Sequence, residues 1–146
     1  MTEAKNSASL QGYPAGLGRR LGAMLYDTLL ILALFFLTGF IWVSISGDVV
    51  TGLLFQLTLI VEIVAFFGYF WRKQGETLGM RAWKIRVIDE AGALPSWKRI
   101  LLRLCIAPLS IAAFGIGYAW LYLGDNKQTW HDKVSGTFVV HLPDRG

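Results

Sequence analysis

A carboxylate stands inside a long apolar segment near the start of the chain. Residues 21–45 contain no charged residue except Asp27, which follows Arg20 by seven positions. A carboxylate in a membrane-length helix costs roughly 2.5–3.5 kcal/mol on insertion scales, so such a helix needs a partner for it. Seven residues are almost two helical turns, which places both side chains on one face about 10 Å apart along the axis. Arg20 is therefore the first candidate partner of Asp27.

The composition indicates a membrane protein. Of the 146 residues 54% are hydrophobic and only 16% are charged, and the mean hydropathy is +0.48. The runs 21–45 and 49–71 each supply the ~20 apolar residues that cross a ~30 Å hydrocarbon layer, and a third run, 100–123, is also long enough. The sequence thus predicts an all-α membrane protein with two transmembrane helices and a third apolar segment that either spans or is broken and re-entrant.

The distribution of lysine and arginine predicts the orientation. The link 46–48 has neither residue, whereas the segment 72–99 is rich in both. The basic residues of that segment are Arg72, Lys73, Arg81, Lys84, Arg86, Lys98 and Arg99. By the positive-inside rule we expect a multi-pass protein of the bacterial inner membrane whose N-terminus and 72–99 loop are cytoplasmic.

The basic balance does not predict nucleic-acid binding. The net charge is +4 and the pI is near 9.4. The basic residues flank apolar runs, where membrane topology and anionic headgroups account for them. The single cysteine, Cys105, excludes an intrachain disulfide and makes a poor metal site, so we expect it to be a packing residue.

Two short segments outside the apolar runs favour β-structure. Residues 84–89 alternate polar and apolar side chains and end at a turn over 90–92, and residues 137–142 are β-prone and stop at Pro143. A lone short strand is marginal in water. We therefore expect the two segments to pair into a small cytoplasmic ribbon.

This pairing constrains the third apolar run. If 100–123 crosses the membrane once, the C-terminal strand lies outside and cannot reach 84–89. Pro108 and the Gly-Ile-Gly sequence at 115–117 are points where the run would break into two half-depth helices. Re-entrant segments are tolerated where protein covers their backbone, and we favour this form over a single crossing.

Three separated motifs occur in order along the chain. Residues 18–27 read Gly-Arg-Arg-Leu-Gly-Ala-Met-Leu-Tyr-Asp. Residues 75–79 read Gly-Glu-Thr-Leu-Gly and lead into 84–89, and residues 128–133 read Gln-Thr-Trp-His-Asp-Lys and lead into 137–140. With this combination the chain resembles the RDD family of small membrane proteins.

The resemblance extends over nearly the whole chain. The family is named for one arginine and two aspartates, which the motifs place on Arg20, Asp27 and Asp132. The resemblance also implies links to cation–proton exchange and to accessory roles beside larger membrane complexes. The predicted organisation is a polar tail, one RDD-type membrane domain and a short C-terminal tail: 1–17, 18–142 and 143–146.

Two interpretations of the intramembrane charges remain open. Asp27 and Glu62 are both predicted to lie about 10–14 Å below the cytoplasmic surface, and Arg103 about 6 Å below it. The two acids would form a proton or cation site if they came together, because each raises the pKa of the other. Alternatively Asp27 pairs with Arg20 or Arg103, and Glu62 faces a partner or a water-filled cleft. We favour the structural pairing, because buried charges commonly fix helix register.

The adjacent residues His131 and Asp132 are of types found in catalytic sites, but we do not expect them to form a catalytic His–Asp dyad. Adjacent helical residues point about 100° apart, and no nucleophile motif accompanies them. We expect Asp132 to accept hydrogen bonds from backbone amides or to pair with Arg20. No catalytic residue, metal site or cofactor is predicted.

Gly75, Thr77 and Gly79 are spaced like part of a phosphate loop. The run lacks the Gly-Lys-Ser/Thr sequence of a P-loop and does not follow a strand. We expect a turn that carries the chain from the second span onto the membrane surface.

The leading functional hypothesis is a non-enzymatic accessory or scaffold subunit of the inner membrane. It would dock on a larger membrane complex, for example one for lipid or envelope transport, or on copies of itself. The alternative is a small oligomeric cation/proton antiporter that uses Asp27 and Glu62. A further alternative is binding of anionic lipid by the basic residues of 72–99.

Overall fold

The computed structural model describes residues 13–112 and 129–142, with the side chains of 110–112, 130 and 131 outside the description. In chain order the described elements are β1 (Tyr13–Pro14), α1 (Leu17–Ser46), α2 (Leu53–Lys73), α3 (Leu78–Ala82), β2 (Ile85–Asp89), α4 (Trp97–Ala112), α5 (Trp130–Ser135) and β3 (Thr137–His141).

Helices α1 and α2 match the first two predicted spans. Both are long and apolar enough to cross a membrane. Helix α1 starts at Leu17, four residues before the apolar run, so Arg19 and Arg20 belong to its first turn. It ends at Ser46 and is capped by Gly47, whose left-handed backbone (φ 72°) suits glycine.

The predicted pairing of the two β-segments is confirmed. Strands β2 and β3 are antiparallel, with Val87 opposite Val139 and Asp89 opposite Thr137. Strand β1 adds to the other edge of β3, giving the order β1-β3-β2. The sequence did not predict β1, because two residues have no periodicity to detect. The predicted 1–17 tail therefore includes residues that belong to the sheet.

The third apolar run differs from its prediction at Pro108. Helix α4 continues through this proline to Ala112, so the predicted break at Pro108 is wrong. Proline removes one helical hydrogen bond, a loss that neighbouring groups make tolerable in membrane helices. The other predicted break, at 115–117, lies outside the described residues. Strand β2 precedes α4 and strand β3 follows α5, and the two strands pair in one sheet.

The buried apolar core lies beside the sheet. Its members are Ala15, Ala23, Trp71, Met80, Ile85, Val87, Ile100 and Val139. Helix α1 packs mainly on α3, and α2 packs mainly on α4. The parts of α1 and α2 far from the sheet, residues 28–46 and 53–66, contain no buried residue. We call these parts the outer halves.

Because β2 pairs with β3, we expect the β2–α4 turn and α5 to lie on the same side of the membrane. We expect an impermeant maleimide added to intact cells to label Asp48→Cys, and to label Ala91→Cys and Lys133→Cys only after lysis. All three positions are exposed, and Cys105→Ser removes the native thiol. Labelling of Ala91→Cys and Lys133→Cys from opposite sides would contradict this topology.

Candidate functional site

Asp132 is the most deeply buried charged residue of the candidate site. It lies in the first turn of α5, and its side chain is 0% exposed. The backbone amide of Thr129, the N-cap residue, donates to Asp132 Oδ2 at 3.3 Å, as part of a capping box that satisfies the start of this short helix. The expectation that Asp132 accepts a backbone amide is confirmed.

Two guanidinium groups bind the two oxygens of Asp132. Arg20 Nη1 of α1 lies 2.5 Å from Asp132 Oδ2, and Arg103 Nη1 of α4 donates to Asp132 Oδ1. Arg20 Nε also donates to the carbonyl of Ala15 at 3.1 Å. Arg103 Nη1 donates to Thr137 Oγ1 of β3 at 3.0 Å. We call this arrangement the arginine clamp, and it joins α1, α4, α5 and the sheet.

The clamp corrects one prediction and confirms another. The pairing of Arg20 with Asp132 is as predicted. The pairing of Arg103 with Asp27, one of the predicted alternatives, is wrong, because the Arg103 guanidinium is buried against Asp132. The guanidinium carbon also lies 5.1 Å from the centre of the Trp71 ring, a cation–π distance.

Asp27 is held by neutral donors. Thr77 Oγ1 donates to Asp27 Oδ2, and the amide of Gly79 donates to Asp27 Oδ1 at 2.9 Å. Thr77 caps α3, so the free amides at the start of that helix point at the carboxylate. Among the described residues neither Arg20 nor Arg103 forms an ion pair with Asp27, and the predicted pairing is wrong.

Close contact between α1 and α3 makes this arrangement possible. A Cβ atom added at Gly79 would lie 2.8 Å from Asp27 Oδ1 and would collide with the carbonyl of Ala23. Only glycine lets the α3 backbone approach α1 so closely. Asp27 itself is 4% exposed, so its two hydrogen bonds replace the water that it loses.

Glu62 lies in a different place from Asp27. Its Oε1 atom accepts a hydrogen bond from Thr38 Oγ1, across the outer halves of α2 and α1. Thr38 follows Asp27 by eleven residues on α1, which is about 16 Å along the helix axis. The interpretation in which Asp27 and Glu62 share a site, the less favoured of the two, is therefore wrong.

A turn is present at Gly75, as predicted, whereas Thr77 caps α3 and Gly79 lies within that helix. Gly75 has a left-handed backbone (φ 72°) between α2 and α3, and its carbonyl accepts from the amide of Val87 at 2.7 Å. The contact of Thr77 with Asp27 was not predicted, because a hydroxyl residue in a turn is common and gives no charge signal.

The hydroxyl side chains near Asp132 were also not predicted from the sequence. Ser135 Oγ lies 2.7 Å from Thr137 Oγ1, and both residues are buried. Both residues lie within five positions of Asp132 in the sequence, and this closeness was the one signal that could have indicated the contact. The His131 side chain lies outside the described part of the structure. Within that part, no group of three or more His, Cys, Asp or Glu side chains is placed to hold a metal ion.

These features define a small, mostly helical protein with two membrane-length helices, a three-stranded sheet and buried arginine–aspartate pairs. The model of the RDD family matches residues 14–136. The chain belongs to the RDD family, as the motifs predicted. The family and the apolar helices together indicate a membrane protein. Comparisons with curated proteins and with solved structures gave no match.

The hydrogen bonds of Thr77 predict its contribution to stability. Thr77→Val removes both the helix cap and the donor to Asp27, and should lower the free energy of unfolding by roughly 2–4 kcal/mol. Thr77→Ser keeps both bonds and should remain close to the wild type. Denaturant titration in detergent micelles measures both variants.

Thr58→Val is the matched control, because among the described residues the Thr58 hydroxyl donates only to the Leu54 carbonyl of its own helix. If Thr77→Val loses no more stability than Thr58→Val, Asp27 does not depend on this contact.

Proposed function

We propose that this protein is a non-enzymatic accessory subunit of the inner membrane that docks on a larger membrane protein through the outer halves of α1 and α2. The observation that carries the proposal is the separation of the chain into two parts. The buried core and the arginine clamp lie beside the sheet, whereas the outer halves bury none of their own residues.

The outer halves have few contacts with each other. Trp42 and Phe55 meet edge to face with ring centres 6.2 Å apart, and Thr38 donates to Glu62. Exposed apolar side chains cover most of the remaining surface, among them Phe36, Phe40, Leu53, Leu57 and Val61. Helices in membranes associate through close packing and interhelical hydrogen bonds. The outer halves offer both to a neighbouring helix.

Glu62 supports docking over simple contact with lipid. Its Oε2 atom is buried and has no hydrogen-bond partner in the described part of the chain. The residue lies nine positions before Trp71, about 13 Å along the helix. At such a depth an ionisable side chain is costly and usually faces protein or a water-filled cavity. Glu62 as a whole is only half-buried, so a rotation of its side chain would present this oxygen to a donor on a docked helix.

The positions of the other charges favour a structural role for them. Asp132, Arg20 and Arg103 bind one another, and both oxygens of Asp27 accept hydrogen bonds from α3 and its cap. The antiporter alternative required Asp27 and Glu62 to share a site, and the structure separates them. It has no other observation in its favour.

The lipid alternative has a specific feature in its favour. Residues of the α2–α3 turn and β2 surround an open groove of about 760 Å³. It is lined by Lys73, Gln74, Glu76, Arg81, Lys84, Arg86 and Leu94. Four basic side chains against one acidic one suit an anionic headgroup. We keep this as a second candidate function of the same subunit.

A single-atom change at Glu62 tests the docking proposal. In Glu62→Gln the side-chain amide oxygen still accepts the hydrogen bond from Thr38. Its NH₂ group then takes the position of Oε2, where the partner's donor would bind. We expect recovery of the larger complex in mild detergent to fall roughly tenfold, because two donors then face each other.

Asp48→Asn changes an exposed acid in the helix link and should leave recovery unchanged. A wild-type protein that elutes alone and monodisperse after mild solubilisation would overturn the proposal. Equal recovery of Glu62→Gln and wild type would show that Glu62 does not contact the partner.

A further inference from the structure

A second cavity lies between the helices, apart from the basic groove. Its volume is about 290 Å³, near the lower end of the ~300–1,000 Å³ typical of ligand pockets. Its apolar lining includes Ile31, Ile63, Phe67, Leu104, Ala107 and Pro108. Arg20, Arg103 and Asp27 also line it. The cavity is therefore mainly apolar with a few charged groups.

The polar groups lie toward the sheet. Along α1 the lining runs from Arg20 to Ile31, eleven residues or about 16 Å. On α2 it runs from Trp71, beside Arg103, back to Ile63. The charged groups thus mark the surface end of an elongated cavity, and the apolar side chains mark its deeper end. This polarity matches that of a membrane amphiphile.

The arginine clamp leaves one buried donor, Arg103 Nε, without a partner in the described chain. The Arg103 side chain is 7% exposed, and all of its hydrogen bonds in the described chain come from Nη1. Arg103 Nε is buried and has no partner there. Two guanidinium groups share the one carboxylate of Asp132. The carboxylate of Asp27 carries the opposite charge on the cavity wall, but Thr77 and Gly79 already occupy its two oxygens.

We propose that this cavity binds one anionic amphiphile. Its head presents carboxylate or phosphate oxygens to the two guanidinium groups on the cavity wall, and Arg103 Nε, which has no partner in the described chain, donates to one of them. One acyl chain lies along the apolar walls formed by α1, α2 and α4. A free fatty acid and an acidic phospholipid share this chemistry. The site is distinct from the basic groove and independent of the docking proposal.

Native mass spectrometry of the delipidated full chain in detergent tests the site, with oleate and dioleoyl phosphatidylglycerol as probes. We expect one equivalent of an anionic probe to be retained, and oleyl alcohol, which lacks the charge, to bind at least tenfold more weakly. Oleate binding alone assigns a fatty acid, and phosphatidylglycerol binding assigns a phospholipid. Retention of neither, or equal binding of oleyl alcohol, overturns the proposal.

Two matched variants locate the bound molecule without touching the arginines. Ala107→Phe fills the cavity and should reduce binding at least tenfold, whereas Cys105→Phe adds the same ring to an exposed position of α4 and should not. If Ala107→Phe fails to fold, Ile31→Trp blocks the cavity from α1. The double variant Lys73→Gln, Lys84→Gln weakens the groove and should leave this equivalent bound. Loss of binding in that variant, with binding intact in Ala107→Phe, would refute the site.

Discussion

The fold depends on one carboxylate held between two guanidinium groups. Asp132 is fully buried, and Arg20 and Arg103 reach it from two long helices that are distant in the sequence. Burying three charges is costly, and their attraction offsets that cost only when the geometry is good and the remaining polar atoms are bonded. The amide of Thr129 and the hydroxyl of Thr137 supply such additional bonds. The clamp thereby fixes α1 and α4 against α5 and the sheet.

Arg20, Asp27 and Asp132, the residues that the family resemblance singled out, have two separate tasks. Arg20 and Asp132 form the clamp at the sheet, whereas Asp27 receives the start of α3 and positions the turn after α2. Both sets of contacts hold together the part of the molecule beside the sheet. The outer halves of α1 and α2 contain no fully buried residue, which is the division that an accessory membrane subunit requires under our proposal.

The sequence predicted the elements better than their contacts. Hydropathy located both long helices, and residue alternation located the β2–β3 pair, because these signals are local. The Arg20–Asp132 pair followed from the expected side of the membrane and from charge. The partner of Arg103 could not be predicted from the sequence, because a long flexible side chain is able to reach several acidic residues. Pro108 was misjudged for a similar reason, since its cost depends on neighbouring groups.

The contact of Asp27 with Thr77 was the least predictable feature of the site. The two residues are 50 positions apart, and a neutral hydroxyl gives no electrostatic signal. Only the close approach of α3 at Gly79 reveals that a backbone amide takes the place of a cation. Arg103 Nε, which has no partner in the described chain, likewise has no signal in the sequence, because its surroundings depend on how α4 packs.

A double-mutant cycle between Arg20 and Asp132 tests the clamp most directly. Arg20→Gln, Asp132→Asn and the double variant are unfolded by denaturant in the same detergent as the wild type. The clamp predicts a coupling of about 1–3 kcal/mol, with the double variant less destabilised than the two single losses together. Additivity within about 0.5 kcal/mol would show that the two side chains act independently, and would contradict the account.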